Sequence, residues 1–131
     1  MADIIIANEV YFCELDSVAG DGDFGMSVAK GFKQLKQDWS EVPQEDIGAF
    51  LKGCGMIIIE YCGGASGPIW GSAFRSAAKY ATGKTELDLA GLAALMQSAV
   101  YGIQKRGGAK PDAGAVAIGV IFTELTKNLN L

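Results

Sequence analysis

The chain has 131 residues, enough for one domain; half are apolar and a fifth are charged, as in a globular protein. A net charge of −4 offers no basic stripe for nucleic acid, and the absence of histidine removes Ser-His and Cys-His catalysis along with the commonest general base. Any chemistry therefore falls to carboxylates, lysines, backbone amides or a metal.

Cys13, Cys54 and Cys62 have no CxxC spacing and sit among apolar neighbours, so buried reduced thiols are expected and a structural zinc site is not. The longest apolar run, Met56 to Ile59, is stopped by Glu60 and falls far short of the ~20 residues that span a bilayer. Asp3 and Glu9 interrupt the N-terminus, and no basic residue precedes Ile4-Ile5-Ile6, so a cytoplasmic protein without a secretion signal or membrane span is expected.

In chain order the periodicity is helical. Residues 2–15 carry Ile5, Ile6, Val10 and Cys13 on one face. After a Gly-rich turn, Gly25 to Trp39 reads as a second helix with Val28, Phe32 and Leu35 inward. Pro43 supplies a start for a third, helped by Glu45 and Asp46 at the positive end of the helix dipole. This third helix runs to about Cys62 and is apolar around most of its circumference, which places it in the middle of a bundle.

Gly63-Gly64 breaks it, and residues 66–81 form a fourth helix rich in small side chains and ended by Gly83. The fifth runs from about Leu87 to Lys105, with Leu92, Leu95, Met96 and Val100 as its core stripe. A last segment, Val116 to Asn128, is read as a helix, although Val116–Ile121 also suits a short strand. The fold class is all-α, a single domain over residues 1–131 with about six antiparallel helices.

Two Gly-rich segments carry the candidate chemistry. In Asp16-Ser17-Val18-Ala19-Gly20-Asp21-Gly22-Asp23 three carboxylates fall within eight residues. Gly22 frees the backbone to turn Asp21 and Asp23 to one point, and Asp16 can meet them from the end of the first helix. Oxygen ligands at that density suit a hard cation, Mg²⁺ better than Ca²⁺, because the EF-hand spacing is missing. The plainer alternative makes Asp21 and Asp23 turn residues, either of them capping the second helix. Asp16, by contrast, has no evident turn to make.

The second segment, Gly63-Gly64-Ala65-Ser66-Gly67-Pro68, opens a helix, where unpaired amides and the dipole attract an anion. It is not a P-loop, and a linker with a serine cap fits the same residues. Together the two segments supply what a metal–nucleotide complex needs.

Leu15-Asp16, Gly20-Asp21-Gly22-Asp23-Phe24-Gly25 and Gly63-Gly64-Ala65-Ser66-Gly67-Pro68-Ile69-Trp70-Gly71, with Gln104 to Pro111, resemble in order and spacing the nucleotide-binding subunits of dihydroxyacetone kinases, the DhaL type. The resemblance covers about residues 5–111. It implies an antiparallel helical barrel with a nucleotide, ADP or ATP, at one end. It also implies Mg²⁺ held by Asp16, Asp21 and Asp23, and phosphates facing Gly64, Ala65, Ser66 and Gly67. Ser27 falls where a small polar residue touches the nucleotide, and Phe24 stands where the family often has histidine.

The implied activity is phosphoryl transfer to a small hydroxyketone held on a partner subunit of the DhaK type. In one version of the family a phosphohistidine-carrying phosphotransferase subunit recharges the bound ADP. The family pattern runs to about eight helices, and this chain departs from it after Pro111, reading Asp112-Ala113-Gly114-Ala115. A shortened barrel leaves apolar faces open, which self-association would cover. The alternative function is a degenerate paralogue that docks on a partner without turnover.

Overall fold

The computed structural model describes residues 1–18, 20–64 and 66–107. Those residues form six α-helices: α1 (Ala2–Ala7), α2 (Glu9–Ser17), α3 (Phe24–Gln37), α4 (Ile47–Tyr61), α5 (Ser66–Tyr80) and α6 (Leu89–Gly107). A single 3₁₀ turn, Trp39–Glu41, follows α3, and no strand occurs among the described residues. The expected all-α class holds. The expected segment Val116 to Asn128 lies outside the described residues.

The first expected helix is divided. Asn8 leaves helical geometry at φ −102° and ψ 13°, and its side-chain Nδ2 donates to the Ile4 carbonyl at 2.8 Å. An asparagine that competes for backbone carbonyls in this way interrupts helical geometry. The face read from one continuous helix is accordingly lost: Ile5 is buried, but Val10 is 71% exposed, and Phe12 takes the core position on α2.

The third expected helix also starts later than Pro43. Asp46 is its N-cap, accepting from the Ala49 amide at 2.7 Å, and Pro43 lies outside the helix. A proline fixes one dihedral, whereas an aspartate satisfies an orphan amide, and here the latter sets the start. Asp46 reaches further, accepting from Gly83 at 3.2 Å and so tying the turn after α5 to the start of α4.

α3 packs against α1, α2 and α4, and α5 lies between α4 and α6. Val28, Phe32 and Leu35 point inward as the periodicity requires. Phe32 meets Trp70 edge to face at 5.2 Å, and Phe12 meets Phe24 at 6.1 Å, so aromatic pairs join α2, α3 and α5 into one core.

A smaller cluster of Ala73, Ala77 and Ala99, flanked by Leu51, Leu95 and Ile103, joins α5 to α6. The expected stripe of α6 is only partly buried; Ala99 is its buried member. Nor does α4 sit in the middle. Met56 is 63% and Ile59 40% exposed; among the described residues α4 packs chiefly against α3 and α5.

Candidate functional site

The junction of α2 and α3 is built by close backbone approach. A Cβ on Gly25 would run into the Glu9 carbonyl oxygen and come within 2.8 Å of the Cys13 amide nitrogen, so only glycine lets the two helices meet here. The turn between them needs Gly22 at φ +78°, a left-handed conformation that side chains disfavour. That turn folds back on the last residues of α2.

Asp16 holds the turn. Its Oδ2 accepts from the Gly22 amide at 3.0 Å and the Phe24 amide at 3.3 Å, while Asp23 occupies the N-cap position of α3 without making a side-chain cap bond. The cap thus comes from the preceding helix, and Asp16 does have a turn to make after all. Sequence reasoning missed this role; the signal was an acidic residue at a helix end followed by Gly20 and Gly22. A Cβ at Gly20 would stand 2.6 Å from Asp16 Oδ1, so the absence of a side chain there leaves the second oxygen room.

Asp16, Asp21 and Asp23 converge. Each presents a carboxylate oxygen, and these oxygens lie within 4.8 Å of one another; Asp21 and Asp23 are exposed and Asp16 half-buried. The Asp23 amide donates to Asp21 Oδ1 at 3.4 Å. The carboxyls of Asp21 and Asp23 share a hydrogen bond, which raises the pKa of Asp23 and lowers that of Asp21. Desolvation and repulsion from Asp21 and Asp16 add to the rise at Asp23. The pair is therefore one anionic unit that gains from a cation.

The donor set fits a hard divalent ion. Three carboxylates within reach of one point, two of them open to solvent, are the oxygen-only ligands such an ion takes while keeping sites for water or phosphate.

The second Gly-rich segment reaches the same end of the molecule. Ser27, on the first turn of α3, places its Oγ 3.3 Å from the point where a Cβ on Gly63 would be. Gly64 has φ +56°, with nothing within 4 Å of a Cβ position, so it faces open space. Ser66 starts α5 and is buried, 6% exposed.

Gly67 is a packing residue: a Cβ there would meet the Ile59 and Cys62 carbonyls at 3.1 and 3.2 Å. Phe24 turns its ring into the core against Phe12 and offers the site only its amide. Ala65 lies outside the described residues, as does the stretch after Gly107 that departs from the family pattern.

Among the described residues no helix is long and apolar enough to cross a membrane. A model of the DAK2 domain matches residues 18–116. The chain is 36% identical over 107 residues to the ADP-binding subunit DhaL of the PEP-dependent dihydroxyacetone kinase 1 of Listeria innocua, covering 82% of this chain and 52% of that protein. It is 33% identical over 109 residues to the corresponding PEP-dependent subunit of Escherichia coli, covering 83% and 52%. Against the PTS-dependent subunit of Lactococcus lactis it is 33% identical over 103 residues, covering 79% and 51%. The chain spans about half the length of these relatives. With Asp21, Asp23 and the Gly63–Gly64 turn inside the matched span, the chain belongs to the DAK2 domain family.

Proposed function

We propose that this chain is a cytoplasmic nucleotide-holding subunit of a dihydroxyacetone-type kinase. It would bind ADP or ATP with Mg²⁺ and serve phosphoryl transfer to a small hydroxyketone carried by a DhaK-type partner. The observation that supports this most is the convergence of Asp16, Asp21 and Asp23 on one point at the end of the molecule where Ser27 meets Gly63. The names of the relatives, ADP-binding subunits of PEP- or PTS-dependent kinases, support ADP as the resident nucleotide. In this proposal a phosphohistidine-carrying phosphotransferase subunit recharges it.

In this reading Asp16, Asp21 and Asp23 hold the metal. The ion they would hold is Mg²⁺, which would supply positive charge to offset that of the phosphates. Ser66 begins α5, and Gly64 and Ala65 precede it in sequence; the helix dipole and the amides of this segment would favour phosphate. No side chain of this chain acts as a nucleophile; positioning and charge neutralisation are its contribution.

A transfer assay tests the proposal. Chain, Mg-ATP, dihydroxyacetone and a dihydroxyacetone-binding kinase subunit are combined, and phosphorylated product is measured. Product that requires this chain and vanishes with Asp21→Ala is expected. A stable complex of the two subunits with bound nucleotide and no product would overturn it in favour of a docking paralogue.

A further inference from the structure

A second feature lies apart from the acidic junction. α5 and α6 border a groove of about 1030 Å³, lined on α5 by Ser72, Arg75, Ser76 and Lys79 and on α6 by Tyr101 and Lys105, among others. Neither the three aspartates nor the Gly63–Gly64 turn lines it. Arg75 and Lys79 are four residues apart and project from one face of α5. Both are exposed, as is Lys105.

Among the described residues every charged residue on the groove is a cation, and the remaining polar residues are serines, tyrosines and Gln97, with no carboxylate. That is unusual for a chain of net charge −4. Among the other described cations Lys33 bonds Glu9 and Lys36 bonds Asp3, while Lys30, Lys52 and Lys84 form no ion pair. Arg75, Lys79 and Lys105 form no ion pair among the described residues.

The floor is also shaped. A Cβ on Gly102 would collide with the Ser76 hydroxyl and come within 2.7 Å of the Ser72 carbonyl, so glycine there lets α6 approach α5 closely. Tyr101, 64% exposed, presents a ring along the rim. Like charges held together over a donor-lined concavity lower their mutual repulsion when a polyanion enters.

We propose that this groove is a metal-independent site for a small organic or inorganic polyanion bearing two or more phosphate groups. A guanidinium fork at Arg75 and the ammonium groups of Lys79 and Lys105 would take the phosphate oxygens, and Tyr101 would cover any apolar part of the ligand. A volume of this size exceeds a single phosphate and suits a phosphorylated metabolite. Such a ligand would bind on α5, the helix that also begins the candidate nucleotide site, and so could report metabolite levels to it.

Inorganic pyrophosphate is the probe, titrated calorimetrically in EDTA so that the aspartates have no metal with which to hold an anion. Binding that weakens with added salt and falls at least tenfold in Arg75→Ala/Lys79→Ala is expected. Asp21→Ala and the remote pair Lys30→Ala/Lys33→Ala should leave it unchanged. Absence of metal-free binding to the folded chain overturns the proposal, as does an equal loss in the remote pair. A polyglutamate peptide that binds through Arg75 and Lys79 where pyrophosphate does not would also overturn it, and would assign the groove to an acidic protein segment. Failure here leaves the metal-dependent nucleotide site untouched, because that site is read with Mg²⁺ present.

Discussion

Asp16, in the last turn of α2, accepts the amide of Phe24, the first residue of α3, at 3.3 Å. One carboxylate oxygen thereby closes the turn that carries Asp21 and Asp23, while the other stays beside Gly20. Holding the fold and presenting a ligand are joined in a single side chain, and substitutions separate the two.

Asp16→Ala removes the acceptor for two amides and is expected to cost about 1 kcal/mol of stability, the usual cost of a lost cap. Asp16→Asn keeps an acceptor and loses the charge, so its stability stays close to that of the parent while metal binding falls. Urea unfolding with and without Mg²⁺ separates these outcomes. Equal stability for Asp16→Ala and the parent would mean that the observed cap contributes nothing.

Gly25→Ala places a methyl group where the Glu9 carbonyl stands, and the two helices must part. A loss of about 1–3 kcal/mol is expected, as for other overpacked contacts. Gly64→Ala has open space but a positive φ, so a smaller loss of about 1 kcal/mol follows from backbone strain. Thermal melts of the two variants give their order, and the reverse order would refute the packing argument.

Burial pushes the thiols of Cys54 and Cys62 up to about 11, from an ordinary value of 9.0. In the unfolded chain they ionise at the ordinary value, so between the two values the folded state binds the proton more tightly. Their contribution is complete below pH 9.0 and is lost as pH rises through about 11. Denaturation midpoints should fall across that window, and fall less in Cys54→Ala/Cys62→Ala. At pH 8 an alkylating reagent should modify Cys13, which is partly exposed, before the other two.

Much of this architecture is legible in the residues. The stripe Val28, Phe32 and Leu35 gives the inner face of α3 directly, because that helix has neighbours on several sides and a polar remainder. The Gly63-Gly64 break and the Gly83 stop coincide with positive-φ turns or helix ends. The reading fails where a side chain acts outside its own helix. Asn8 interrupts a periodic run by bonding Ile4, and Asp46 takes the helix start away from Pro43 by reaching Ala49.

At the site, the convergence of the three aspartates follows from their spacing around Gly20 and Gly22, as expected. The direction of Phe24 does not, since whether the first residue of a helix faces core or ligand depends on Phe12, twelve positions earlier and on another helix. The α5–α6 groove was equally hidden, because Lys105 shares it with Arg75 and Lys79 only through the pairing of two helices.

The most direct test of the account is calorimetric titration of the chain with ADP, in Mg²⁺ and then in EDTA, for the parent and for Asp21→Ala. Asp21 is exposed and its side chain bonds within the acidic turn, to the amide and carboxyl of Asp23, so the variant should fold. The account predicts binding that requires Mg²⁺ and weakens at least tenfold in the variant. Binding of ADP by Asp21→Ala as tightly as by the parent, or no binding by the folded parent with Mg²⁺ present, would contradict it.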